Sequence, residues 1–162
     1  MIEYTTVESA LGTVLMTSDG RALTGLYFVG QKYQPQPASG WKARPGLKLF
    51  KDAHVQFIEY LGGKRQNFDL PINLLGTPFQ VRVWHAIASI PFGSTLSYRE
   101  VAERAGSPNA VRAVGAAVGR NPLTIIIPCH RVVGSNGSLT GYAGGLKRKQ
   151  ALLNLESSVF HP

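Results

Sequence analysis

The single cysteine of this 162-residue chain, Cys129, stands in the run IIIPCHRVVG (125–134), between Pro128 and the pair His130-Arg131. A thiol attacks as thiolate, and a free thiol with a pKa of about 8.5 is mostly protonated at neutral pH, so a reactive cysteine needs a base or a cation beside it. His130 and Arg131 are the nearest candidates. Neighbours on a straight strand point to opposite faces, so the chain must bend for Cys129 and His130 to share a pocket. Pro128 cannot donate a ladder hydrogen bond and is placed to make that bend, which would bring thiol and imidazole together directly or through a water.

A base in such a pair usually has a third group, an acid, that fixes its tautomer and supports its charge. Beyond Asp69 the chain has three acids, Glu100, Glu103 and Glu156. Glu100 fits a capping box with Ser97, and Glu103 falls on the polar side of the same helix. Glu156 remains, near the end of a final helix whose macrodipole disfavours an acid there, so a specific partner would explain it. Two plainer readings stand beside this one: a buried inert thiol, and a solvated terminal glutamate.

The elements that must hold these groups fall into two stretches. IEYTTVES, GTVLMTS and DGRALTGLYFV are rich in β-branched residues and turn at Asp19-Gly20, which predicts an antiparallel meander. GQKYQPQPASGWKARPG reads as a surface loop. Phe50, Ala53, Phe57 and Leu61 recur at helical spacing up to Gly62-Gly63, and a short strand is expected around NFDLPINL. From Gly76 the pattern turns helical. Thr77 with Pro78 starts a helix whose stripe is Phe79, Val83, Trp84 and Ile87. SYREVAERAG opens on Ser97 and ends at Gly106, and SPNAVRAVGAAVGRNP offers Ser107 as cap and Pro108 at its first position. Two short helices across a tight glycine turn are a helix-turn-helix signature, whose second helix commonly lies against nucleic acid. LTIIIPCHRVVG reads as a buried strand broken at Pro128, followed by a glycine-rich loop around Tyr142 and a helix with a basic first turn.

The second helix of the pair is nearly bald: Ala113, Gly115, Ala116 and Ala117 leave little bulk, while Arg112 and Arg120 supply charge. A glycine inside a helix costs about 1 kcal/mol relative to alanine, so Gly115 needs a reason. Either it allows close helix packing, or it lets a charged, smooth helix press into a nucleic-acid groove. Charge is compatible with the second. The formal net charge is +8, and residues 79–162 hold nine basic against three acidic side chains. A generally basic protein with no nucleic-acid role is the alternative. One cysteine excludes an internal disulfide and a cysteine-rich zinc site, and a reducing, cytoplasmic setting is expected. No apolar run approaches the ~20 residues of a membrane span, so no membrane partner is expected.

IPCHRVVG, together with SYREVAERAG, AVRAVG, GRNP and GYAGGLKRKQALLNLE, resembles the O6-alkylguanine-DNA alkyltransferases, or methylated-DNA–protein-cysteine methyltransferases. The likeness runs from about Gly76 to Glu156. It implies an α/β (α+β) fold with a strand-rich, ribonuclease-H-like domain over 1–75 and a mainly helical domain with the helix-turn-helix over 76–162. It implies that Cys129 accepts the alkyl group from O6 of guanine, that His130 takes the thiol proton through a water with Glu156 orienting it, that Tyr98 donates to guanine N3, and that Asn121 holds the turn. Arg112 would enter the base stack as the lesion nucleotide swings out. Ser97, Ala113, Gly115, Ala116 and Arg120 would join it on DNA, and Val118, Val132, Tyr142, Ala143 and Gly144 would line the base pocket. The partner implied is duplex DNA carrying O6-alkylguanine, with O4-alkylthymine as a further lesion. The protein would act as a monomer, with cooperative binding along DNA left open, and with no cofactor and no metal.

Two positions depart from the pattern: Thr124, where mammalian members carry a pocket-lining proline, and Ala143, where some carry serine. The first puts acceptance of bulky benzyl groups in question. A non-catalytic lesion-recognition module, an alkylation-triggered regulator and a cysteine hydrolase are the competing classes. The first lacks the acceptor thiol, the second would add a sensor domain with clustered cysteines, and the third would place its histidine far from the cysteine.

Overall fold

The computed structural model describes residues 1–160 and divides into two compact units, Met1–Leu74 and the chain from Leu75 onward. In the first, β1 (Glu3–Val7), β2 (Val14–Ser18) and β3 (Leu23–Phe28) form the expected antiparallel meander, and β4 (Lys42–Ala43) adds parallel to β1, giving the order β3-β2-β1-β4. Asp19 Oδ1 accepts the backbone N–H of Arg21 and Ala22, both at 2.9 Å, which closes the β2–β3 turn. Helix α1 (Lys48–Leu61) buries Phe50, Ala53, Phe57 and Tyr60, and the Phe57 ring lies 6.4 Å from that of Phe28 on β3. Tyr60 takes the inner position expected of Leu61. The strand expected in NFDLPINL is reduced to one bridge, Ile72 with Leu23. Pro71, which has no N–H to offer a ladder, contributes only its carbonyl, to Leu23 N at 2.8 Å.

In the second unit α2 (Pro78–Ala88) begins with Pro78 behind the capping box of Thr77 and Gln80, and α3 (Tyr98–Arg104) begins with that of Ser97 and Glu100. These boxes satisfy backbone donors that would otherwise face water alone. Trp84, 2% exposed, donates its indole N–H to Ala117 O at 2.9 Å and so ties α2 to α4 (Val111–Gly119). A side chain at Gly76 would sit 2.6 Å from the Trp84 ring, so only glycine lets the chain pass there. Gly106, at φ +78, turns the chain out of α3, as the helix-turn-helix pattern requires.

Helix α4 starts later than expected. Ser107–Ala110 forms a turn closed by Ala110 N donating to Ser107 O at 3.0 Å, and Ala110 caps the helix without a side-chain bond. Pro108 suits the second position of a turn as well as the first of a helix, and the turn prevails. A two-stranded parallel pair, β5 (Leu96–Ser97) with β6 (Val132–Val133), and the long α5 (Leu146–Phe160) complete the unit. No helix among the described residues is long and apolar enough to cross a membrane. The strand-rich first unit and the helical second unit have the α/β character expected from the sequence.

Candidate functional site

The apolar run before Cys129 is a tight loop, where a strand was expected. Asn121 accepts Leu123 N at 2.9 Å on its side-chain oxygen and donates Nδ2 to Ile127 O at 2.7 Å, while Ile127 N donates to Leu123 O at 2.8 Å. The loop thus satisfies its backbone within itself and has no need of a ladder. Ile125, 2% exposed, is held at φ +75, a region costly for a β-branched residue, by about 1–3 kcal/mol. Pro128, at φ -79 and ψ 65, is the centre of an inverse γ-turn in which Cys129 N donates to Ile127 O at 2.7 Å. A single 3-10 turn, Cys129–Arg131, follows and runs directly into β6. The proline bend exists, and all three side chains of the turn are buried.

Glu156 receives the far ends of that turn. His130 Nε2 and Glu156 Oε2 lie 2.7 Å apart; Arg131 donates Nε to Oε1 and Nη2 to Oε2, each at 2.8 Å; Gly93 N donates to Oε1 at 3.2 Å. Arg131 also donates Nη1 to Ile90 O at 2.7 Å and lies over the Phe92 ring. With the Arg131 guanidinium forked on the Glu156 carboxylate, His130 serves as donor from Nε2, which makes Nδ1 its basic nitrogen. Burial lowers the His130 pKa, against the pull of Glu156, so the ring rests neutral. The solvated-glutamate reading does not suit this geometry: Glu156 is 1% exposed and its carboxylate is forked by a guanidinium.

Cys129 is 4% exposed, and burial pushes its thiol up to about 11, with Asn121 and the charge of Lys149 pulling the other way. Lys149, on the first turn of α5, is fully buried and spends its three N–H bonds on Val132 O (2.6 Å), Thr140 O (2.9 Å) and Gly141 O (3.3 Å). Tyr98 donates its hydroxyl to that same Thr140 O at 3.2 Å, and its pKa is raised by burial and by the charge of Cys129. Arg131, Glu156 and Lys149 together leave one net positive charge beside the thiol. A thiolate would neutralise it, which offsets part of the cost that burial sets on the anion.

Two sets of residues result: His130 and Arg131 share the Glu156 carboxylate, while Cys129 lies within reach of Asn121 and of the charge of Lys149, whose partner Thr140 O also receives Tyr98. Arg131, a candidate cation for the thiol or a brace for the turn, is held by Glu156 and Ile90 O, while Lys149 carries no signal in the sequence. Lys149 stands in a first turn that also holds Lys147 and Arg148, so nothing in the sequence sets it apart. Val132 is buried on β6, and Tyr142, Ala143 and Gly144 lie in the loop leading to α5, where Arg148 donates to Gly144 O at 3.0 Å. Val118 lies on the packed side of α4 with Val114 and Ala117.

The opposite side of α4 is exposed and carries Arg112, Ala113, Ala116 and Arg120. A side chain at Gly115 would meet only Tyr98 Cδ1, at 3.9 Å, an ordinary contact. Packing within the chain thus gives no reason for Gly115. Gly115→Ala is expected to raise the thermal midpoint, by up to about 1 kcal/mol of helix propensity, while weakening binding to duplex DNA; unchanged duplex affinity would show that the bare helix face is not in contact there.

Comparison with known proteins places this geometry. The family described as 6-O-methylguanine DNA methyltransferase, DNA binding domain, matches residues 78–158, and the ribonuclease-like domain of the same family matches residues 2–74. The chain is 47% identical over 158 residues to the methylated-DNA–protein-cysteine methyltransferase of Mycobacterium tuberculosis, covering 98% of this chain and 94% of that one. It is 48% identical over 143 residues to the inducible protein of that name from Bacillus subtilis, covering 83% and 80%. The crystal structure of Mycobacterium tuberculosis OGT in complex with DNA superposes with a TM-score of 0.89 at 44% identity, over 97% of this chain and 94% of that one. By matches that span both units, the chain belongs to the 6-O-methylguanine DNA methyltransferase family.

Proposed function

We propose that this protein repairs DNA by direct reversal, drawing O6-alkylguanine out of the duplex and taking its alkyl group irreversibly onto Cys129. The observation that carries the reading is the buried thiol of Cys129 immediately followed in one turn by His130 and Arg131, both held by Glu156, with the charge of Lys149 acting on the thiol. That arrangement supplies a base, its orienter and a positive surround, and little that would hydrolyse a thioether. The exposed, cationic face of α4 and the DNA-bound relative support duplex DNA as partner.

The thiol proton passes through a water to His130 Nδ1. The sulfur lone pair then bonds the alkyl carbon as the carbon–O6 bond breaks, and that bond's electrons remain on the guanine. Tyr98 gives its proton to guanine N3 and recovers one from the imidazolium through water, so the thiol proton ends on the base. An in-line approach to that carbon is closed inside a base stack, and flipping the nucleotide costs about a few kcal/mol, which the Arg112 side chain partly offsets by filling the gap. The loop Tyr142–Gly144 and Val132 wall the flipped base. Because the thioether persists, each molecule acts once.

Cys129→Ser is the direct test. It is expected to bind the lesion duplex as the parent does and to leave the lesion unrepaired with its own mass unchanged. Transfer surviving in that variant would put the acceptor elsewhere.

A further inference from the structure

Away from the thiol, α2 and α3 enclose an open groove of about 500 Å³ lined by Arg82, His85, Ala86, Ser89, Arg104 and Ala105. Arg82, His85 and Ser89 succeed one another at three- and four-residue steps, so they share one face of α2. Arg104 reaches in from the last turn of α3. Ser89 fixes it: its Oγ donates to Ala86 O at 2.6 Å and accepts Arg104 Nη1 at 3.2 Å. Arg82 is held from the other side, its guanidinium 5.6 Å from the Phe79 ring. Two guanidiniums and an imidazole thus face one hollow whose lining holds no acid.

Among the described residues neither Arg82 nor Arg104 forms an ion pair with a carboxylate. Glu100, one turn before Arg104, feels its charge but is committed to the backbone and hydroxyl of Ser97. Like charges gathered around a hollow repel unless an anion joins them, and planar guanidinium forks match the oxygens of a phosphate. The position in the motif indicates which phosphate. In a helix-turn-helix the second helix enters the groove while the first crosses the sugar–phosphate backbone, and Arg104 ends that first helix.

We propose that Arg82, His85 and Arg104 form a docking site for a backbone phosphate of duplex DNA, outside the lesion and independent of its chemistry. The proposal rests on the reading of this protein as a duplex-binding alkyltransferase, and it adds a contact that would hold sound and damaged DNA alike. Such a contact serves search and register, because phosphate contacts position a protein without reading sequence.

The test compares the parent with the double variant Arg82→Gln, Arg104→Gln on an undamaged duplex oligonucleotide over a range of salt. Loss of the site is expected to lower affinity about tenfold or more at low salt, and to flatten the slope of log affinity against log salt by about 1 to 2, with an unchanged thermal midpoint. The same loss is expected on a lesion duplex. An unchanged slope and affinity would overturn the site. So would thermal stabilisation of the parent by inorganic phosphate that the variant loses while its duplex binding stays intact, since the groove would then hold free phosphate only. If the parent itself bound no duplex and took no alkyl group, the functional reading would fall. If the parent did both and the variant matched it, only the phosphate site would fall.

Discussion

Glu156→Gln is expected to cost this protein both its repair activity and much of its stability. The carboxylate accepts from His130, from two nitrogens of Arg131 and from Gly93 N, and an amide replaces one of its acceptors with a donor that faces donors. Arg131, 7% exposed, is left as a buried cation without its counter-charge. Removing one partner of such a pair costs about 3–5 kcal/mol, out of a total that is typically about 5–15 kcal/mol. Denaturant midpoints should therefore fall sharply, and transfer to Cys129 should be lost because His130 loses its orienter. A variant that barely folds would not separate the two roles, so Glu156→Leu with Arg131→Met supplies the comparison. Replacing both charges with apolar groups should restore most of the midpoint and none of the transfer. A Glu156→Gln protein with the parent's midpoint and rate would show that the network holds neither turn nor base.

Lys149→Met should be nearly as damaging, for a different reason. The Val132 carbonyl loses its donor in a buried setting, at about 1–3 kcal/mol for a group left wholly unsatisfied, and the more exposed Thr140 and Gly141 carbonyls lose theirs as well. The thiol also loses the one cation that pulls its pKa down through space. In the parent the Cys129 thiol sits at about 11, so its reaction with a small alkylating reagent should climb about tenfold per pH unit through the neutral and mildly alkaline range. Without the lysine the whole climb should move to higher pH, slowing the reaction at any fixed pH below it. Because Tyr98 shares Thr140 O with Lys149, transfer from the guanine substrate should slow by more than reaction with the small reagent. Coincident pH curves for parent and variant would exclude an electrostatic role for Lys149.

What the sequence disclosed and what it hid divide along the range of the interactions. The boxes at Thr77–Gln80 and Ser97–Glu100 were legible because cap and partner lie three residues apart and nothing distant can undo them. The bend at Pro128 was legible because proline removes a donor wherever it stands. The run LTIIIP was misread because Asn121, outside the apolar pattern, supplies from its side chain the bonds that a strand would take from a neighbour. Pro108 was ambiguous, since one φ serves both a helix start and a turn. Glu156 could be reached by eliminating other acids, but Arg131 and Lys149 could not, because basic residues are plentiful and only the fold shows which two are buried.

The most direct measurement is the intact mass of the protein after incubation with a duplex containing one O6-methylguanine. The predicted result is a gain of one methyl per molecule, located on Cys129, with no further gain when more lesion duplex is added and an equal amount of DNA restored. An unchanged mass beside unrepaired DNA, repair continuing beyond one lesion per molecule, or a methyl on another residue would contradict it.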